Sequence, residues 1–186
     1  MRNRINSELI KTNLKLILIP IIVVIFLGGI LFYFSENGQP KTVATFEQVW
    51  TSVENHGITP SDTTEMFKSK WKERNDSKYE SLQKALTFLK PDSGINFNFL
   101  VFDNDKAAHA ARISYWNYLR YDSGRYGTDG ENQKYTSSAS NFTVCWVKYE
   151  NYYTVCTRVG NTVIYAEADA DSGKLVKDII EEIGYQ

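Results

Sequence analysis

The sequence predicts an α+β protein: an N-terminal transmembrane helix followed by one domain, whose mainly antiparallel sheet ends in a three-stranded meander and is packed by helices. Three observations predict it. Residues 16–34, LILIPIIVVIFLGGILFYF, run without a charge, long enough to cross ~30 Å of hydrocarbon at ~1.5 Å per residue. Residues 141–168 break into three runs rich in β-branched and aromatic residues, the last two joined by Gly160-Asn161, a favoured two-residue hairpin turn. Apolar residues recur at helical spacing after Thr45, after Asp103 and before the C-terminus, and such spacing marks amphipathic helices.

Residues 1–15 form a basic stub in which Arg2, Arg4, Lys11 and Lys15 precede the apolar run, while Lys41 is the first basic residue after it. The positive-inside rule keeps that stub in the cytoplasm and places the rest of the chain outside the cell. The apolar run ends in Phe-Tyr-Phe-Ser-Glu, without the small-x-small site of a cleaved signal peptide, so it reads as an uncleaved anchor. No cysteine follows it to carry a lipid. Pro20 falls near its start, and Phe32, Tyr33 and Phe34 where an aromatic belt would lie. Residues 35–44 are expected to be a polar linker, and 45–186 the extracytoplasmic domain.

Within that domain Thr45-Phe-Glu-Gln48 has the form of a capping box, opening a short helix with Phe46, Val49, Trp50 and Val53 on one face before Gly57. Residues 58–77 stay open between a second helix bearing Met66, Phe67 and Trp71 and a strand. Ser77-Lys-Tyr-Glu80 repeats the capping-box pattern, and Tyr79, Leu82, Leu86 and Leu89 predict a helix stopped by Pro91. Ile95 to Phe102 reads as a strand entering a core. Asp103 then caps a helix from Asn104 to near Tyr121, burying Ala107, Ala108, Ala111, Tyr115, Tyr118 and Leu119. Residues 122–140, DSGRYGTDGENQKYTSSAS, are turn formers and predict a long polar loop. Strands over 141–149, 152–159 and 162–168 follow. A closing helix has Leu175, Val176, Ile179, Ile180 and Ile183 on one face.

Closing the first hairpin over Glu150-Asn151 brings Cys145 opposite Cys156. Phe142, Val144, Trp146, Val155, Val159, Ile164, Ala166 and Ala168 then share a core face, and the cysteines share the other with Val147, Thr154, Val163 and Tyr165. A two-residue loop makes 145/156 a hydrogen-bonded pair; a four-residue loop makes it a non-hydrogen-bonded one, which suits a bridge better. An oxidising exterior favours a disulfide between Cys145 and Cys156, with two reduced, packed thiols as the alternative.

Several chemistries are disfavoured. The formal net charge is −1 and no basic run exists, so no nucleic-acid partner is expected. Two cysteines with His56 and His109 show no zinc spacing. Asp103-Asn-Asp105 and Asp169-Ala-Asp171-Ser-Gly173 look like the start of calcium loops, but the twelfth position from Asp169 is Ile180, so both read as helix caps. With no G-x-S-x-G and no C-x-x-C, no catalytic residue, metal ligand or cofactor is expected. Tyr115, Trp116, Tyr118, Tyr121 and Tyr126 crowd the end of the middle helix and its loop, a candidate recognition surface whose alternative is core packing.

The segments NFLVFDNDKAAHAA, YYTVCTRVGNTVIYAEAD and IEEIGY, spanning roughly the last hundred residues, resemble the small extracytoplasmic domains of low-GC Gram-positive bacteria that are anchored by a lipid or by one helix. The resemblance implies an envelope location and transfers no site residues. The expected function is that of a single-pass, membrane-anchored, non-enzymatic domain outside the cell that binds a protein or cell-envelope component. The competing expectation is an envelope enzyme or small-ligand-binding domain with its site near the middle helix and loop 122–140.

Overall fold

A computed structural model of the chain describes residues 40–73, 80–118, 133–149 and 151–185. The expected anchor and basic stub, with Tyr121 and Tyr126, lie outside the described residues. Among those described, no helix is long and apolar enough to cross a membrane.

The elements in chain order are α1 (Phe46–Asn55), β1 (Ser61–Asp62), α2 (Thr64–Glu73), β2 (Leu82–Lys90), a 3-10 turn (Pro91–Ser93), β3 (Ile95–Phe102), α3 (Asp105–Asn117), β4 (Gln133–Ser138), β5 (Phe142–Lys148), β6 (Tyr152–Val159), β7 (Thr162–Asp169) and α4 (Gly173–Glu182). The strands form one seven-stranded antiparallel sheet in the order β1-β2-β3-β7-β6-β5-β4. The expected meander is its β5-β6-β7 portion, and the α+β class holds.

Helices cover both faces. On one, Val49 and Val53 of α1 and Val176 and Ile179 of α4 pack on Phe97, Phe99, Val155, Ile164 and Ala166. On the other, Phe67 of α2 and Ala108, Ala111 and Tyr115 of α3 pack on Leu82, Leu100, Phe102, Cys156 and Val163. The two cores match the two faces read from the hairpin register, and α3 covers the cysteine face.

Two-sided burial accounts for one correction. The helix expected over 77–89 is not formed, because residues 82–90 are strand β2. Leu82, Leu86 and Leu89 have helical spacing, but Ala85, Leu86, Thr87 and Phe88 are all buried, as a strand sandwiched between two layers requires of consecutive positions. A second correction concerns the loop expected over 122–140, whose last part is strand β4 on the sheet edge. Its residues are exposed or half-buried, so no apolar alternation announces it. The open region 58–77 holds β1 and α2, the turn between them fixed by Asp62, which accepts from the Thr64 amide (2.9 Å) and hydroxyl (2.6 Å).

The helix caps follow local chemistry. Thr45 and Gln48 exchange the two bonds of the expected capping box, at 2.8 and 3.1 Å. Asn104, not Asp103, caps α3, accepting from the Ala107 amide at 2.9 Å.

The linker expected over 35–44 is not free in its last five residues. Asn141 clamps the Lys41 backbone, accepting from its N–H (3.1 Å) and donating to its carbonyl (2.7 Å), and the Lys41 ammonium lies 5.0 Å over the Phe142 ring. The Ala44 N–H donates to the buried Tyr185 hydroxyl (2.9 Å), which shares a 2.6 Å bond with Thr162, itself donating to the Val159 carbonyl (2.7 Å). Gly160, at φ +52, turns β6 into β7 against Val43, whose Cγ2 would meet an added Cβ at 2.6 Å.

Candidate functional site

The meander register sets Cys145 opposite Cys156. The Tyr149 N–H donates to the Tyr152 carbonyl at 2.7 Å, so 149/152 is a hydrogen-bonded pair, and alternation along the ladder makes 145/156 another. That pair type has the wider Cα separation and suits a disulfide less well. Both thiols are free and buried, so the expected bridge is not formed. Each sulfur faces α3 instead: Cys156 donates to the Arg112 carbonyl (3.5 Å), and Arg112 Nη1 donates to Cys145 Sγ (3.6 Å). Burial pushes the Cys156 thiol far above its ordinary range, only partly opposed by the Arg112 charge. A thiol held protonated in this way is a poor nucleophile.

Of the five aromatics expected to form a recognition surface, the three described ones lie in different surroundings. Tyr115 is buried and stacks on Tyr165, with ring centroids 4.0 Å apart and planes at 17°. Its position, one helical turn beyond Ala111, places it in the core. Trp116 is half-buried against the second core. Tyr118, 51% exposed, is the one of the three described residues that faces solvent. Tyr121 and Tyr126 lie outside the described residues.

A different aromatic group is assembled at the opposite face, toward the β4 edge. Tyr135 of β4 pairs with Trp146 of β5, their rings stacked at 6.0 Å and 21°, and Tyr153 of β6 continues the row at 6.3 Å and 35°. On this face α1 packs on β2 and β3, and α4 on β6 and β7; the strip continues beyond them. Tyr135 is 40% exposed, Trp146 half-buried and Tyr153 buried. The same face presents Gln133 opposite Lys148, and Ser137 opposite Val144. Sequence reasoning put Trp146 on the correct face but missed Tyr135, because β4 was hidden in a polar stretch.

A third feature joins the two helices of the first core. Glu182 accepts from Asn55 Nδ2 and is hydrogen-bonded to His56 Nε2, each at 3.1 Å. The hydrogen bond from Asn55, with His56 adding, holds its carboxyl below the usual range. A cleft of 610 Å³ runs alongside, lined by Thr42, Ala44, Glu47, Thr51, Ser52 and Ile183 among others. Asn55 ends α1, His56 follows it and Glu182 ends α4, so the arrangement reads as a clamp between helices. Among the described residues no group of three or more His, Cys, Asp or Glu could hold a metal ion.

No protein-family model and no curated protein matches the chain. Two solved structures are similar at a distance. The extracellular domain of PknH from Mycobacterium tuberculosis is 8% identical over 58% of this chain and 66% of that chain, with a TM-score of 0.33. A GTP binding regulator from Thermotoga maritima is 13% identical over 80% of this chain and 95% of that chain, with a TM-score of 0.40. Likeness at this level carries no inference about ligand or partner.

Proposed function

We propose that the chain is a single-pass membrane protein anchored by residues 16–34, and that its folded part is a non-enzymatic domain outside the cell that binds an envelope polysaccharide through the Tyr135–Trp146 strip. The exposure of Tyr135 beside Trp146 on an otherwise helix-covered sheet face carries this reading. Aromatic faces bear partial negative charge, and the C–H groups on the flat side of a sugar ring bear partial positive charge, so the two stack. Gln133, Lys148 and Ser137, in register on the same face, supply donors and acceptors for the surrounding hydroxyls. The uncharged anchor segment and its basic N-terminal flank support the address.

Retention of the purified protein on insoluble cell-wall polysaccharide tests the binding. The expected result is retention that falls at least about tenfold in Tyr135→Ala and in Trp146→Ala, matching the ~1–3 kcal/mol typical of an aromatic stacking partner. No retention, or retention indifferent to both changes, would count against it. The address is tested separately: a C-terminal tag on intact, wall-stripped cells should be cleaved by added protease, and a protected tag would place the domain inside.

A further inference from the structure

Two arginines meet on the face opposite the aromatic strip. Arg158 of β6 is buried; its Nη1 donates to the Gly160 carbonyl at 3.1 Å and lies 4.0 Å from the Asp105 carboxylate, which is 65% exposed. Arg112 of α3 is half-buried, and its guanidinium donates to the Cys145 sulfur at 3.6 Å. The Nε–H of each is buried and finds no acceptor among the described residues. A guanidinium carries five N–H donors and no acceptor, and a buried donor left unmatched is destabilising, more so when charged.

The surroundings do not relieve this imbalance. Thr143, buried on β5, pairs with Arg158 in the ladder, and Ser138 of β4 pairs with Thr143. Their hydroxyls lie 3.4 Å apart on the same face as the arginines. Burial lowers the Arg158 pKa and the Arg112 charge lowers it further, against the pull of Asp105. Among the described residues, two positive charges with one carboxylate at the limit of ion-pair distance leave the junction of α3, β5 and β6 with surplus charge and surplus donors.

We propose that Arg112, Arg158 and Thr143 form a binding site for an oxyanion of the phosphate class. Donors arriving separately from a helix and two strands match the several oxygens of a tetrahedral anion, whereas a carboxylate, with two coplanar oxygens, is matched by a single guanidinium fork. Arg112 keeps part of its surface in solvent, and the neighbouring β4 residues Thr136 and Ser138 are exposed, so the proposal requires the anion to approach from the β4 side. The site stands apart from the polysaccharide reading, because Tyr135 and Trp146 project from the other face.

The test uses the full chain in an uncharged detergent, with thermal unfolding and titration calorimetry at ionic strength held constant with sodium chloride. The probes are inorganic phosphate, glycerol 3-phosphate and dimethyl phosphate, standing for the free ion, a monoester and a diester. At least one should raise the unfolding midpoint saturably, and the strongest identifies the source of the phosphoryl group. Arg112→Gln should weaken that probe about tenfold, equivalent to ~1.4 kcal/mol, and Thr143→Val should weaken it without any change of charge. Tyr135→Ala should leave it unaltered, which separates this site from the strip. The proposal is overturned if none of the three probes shifts the midpoint beyond chloride, or if Arg112→Gln and Thr143→Val both bind as the parent does.

Discussion

Cys156 and Tyr153 lie three residues apart on β6 and face opposite cores, yet both are side chains that burial keeps protonated. In the unfolded chain a thiol ionises near pH ~8.5 and a phenol near ~10. The folded-state values are raised, Tyr153 up to about 12, so the unfolded state releases protons first as pH climbs. Their contribution to stability is therefore complete below pH ~8.5, declines above it as the unfolded thiol ionises, and declines further from ~10 toward 12 as the unfolded phenol does. Urea midpoints measured from pH 7 to 11 should fall along that course, and Cys156→Ser should flatten the segment between pH ~8.5 and 10. Native protein treated with iodoacetamide at pH 8 should carry no label on Cys156, and urea-unfolded protein should carry it fully. The facing of the two cysteines was legible from the turn at 150–151, since a hairpin register is fixed locally. Their attachment to Arg112 was not, because a contact between helix and sheet depends on packing that no local pattern encodes.

At the scale of elements, what could be read depended on whether one pattern or two acted on a segment. The β6–β7 hairpin has a turn signal and apolar runs that agree, and it formed as expected. Strand β2 is covered on both faces, which removes alternation, and its leucines fall by coincidence at helical spacing. Strand β4 is polar because it lies at an edge. The ladder distinguishes the two strands in a measurable way. Thr87 is paired on both sides, with Ser61 and Asn98, so Thr87→Pro should cost about 3 kcal/mol or more in urea unfolding. Thr136 pairs with Cys145, whose own backbone bonds point toward β6, so the Thr136 N–H points outward to solvent. Thr136→Pro should therefore change the unfolding free energy by less than about 1 kcal/mol. Gly160→Ala, which combines a positive φ with the approach of Val43, should cost about 1–2 kcal/mol in the same assay.

The whole folded part begins earlier than its sequence suggested, because residues 40–44 look like linker in composition and are fastened by partners about a hundred or more positions away. A protein starting at residue 45 would lose three hydrogen bonds relative to one starting at residue 40. At about 1 kcal/mol each, its urea unfolding free energy should be lower by about 3 kcal/mol. Equal stability of the two proteins would show that the fastening contributes nothing. The α+β class and the meander could be read because they rest on local periodicity. The edge strip and the arginine pair could not, since each needs a strand order that places Tyr135 beside Trp146 and α3 above β6.

Ala44 and Tyr185 hold one another by a single bond, so the entrance and the exit of the folded chain are latched together. Tension arriving through Pro40 is taken up at Asn141 and at that latch before it strains the interior rungs of the sheet. A load hung from the C-terminus is taken up at the same place, so the two ends behave mechanically as one attachment point.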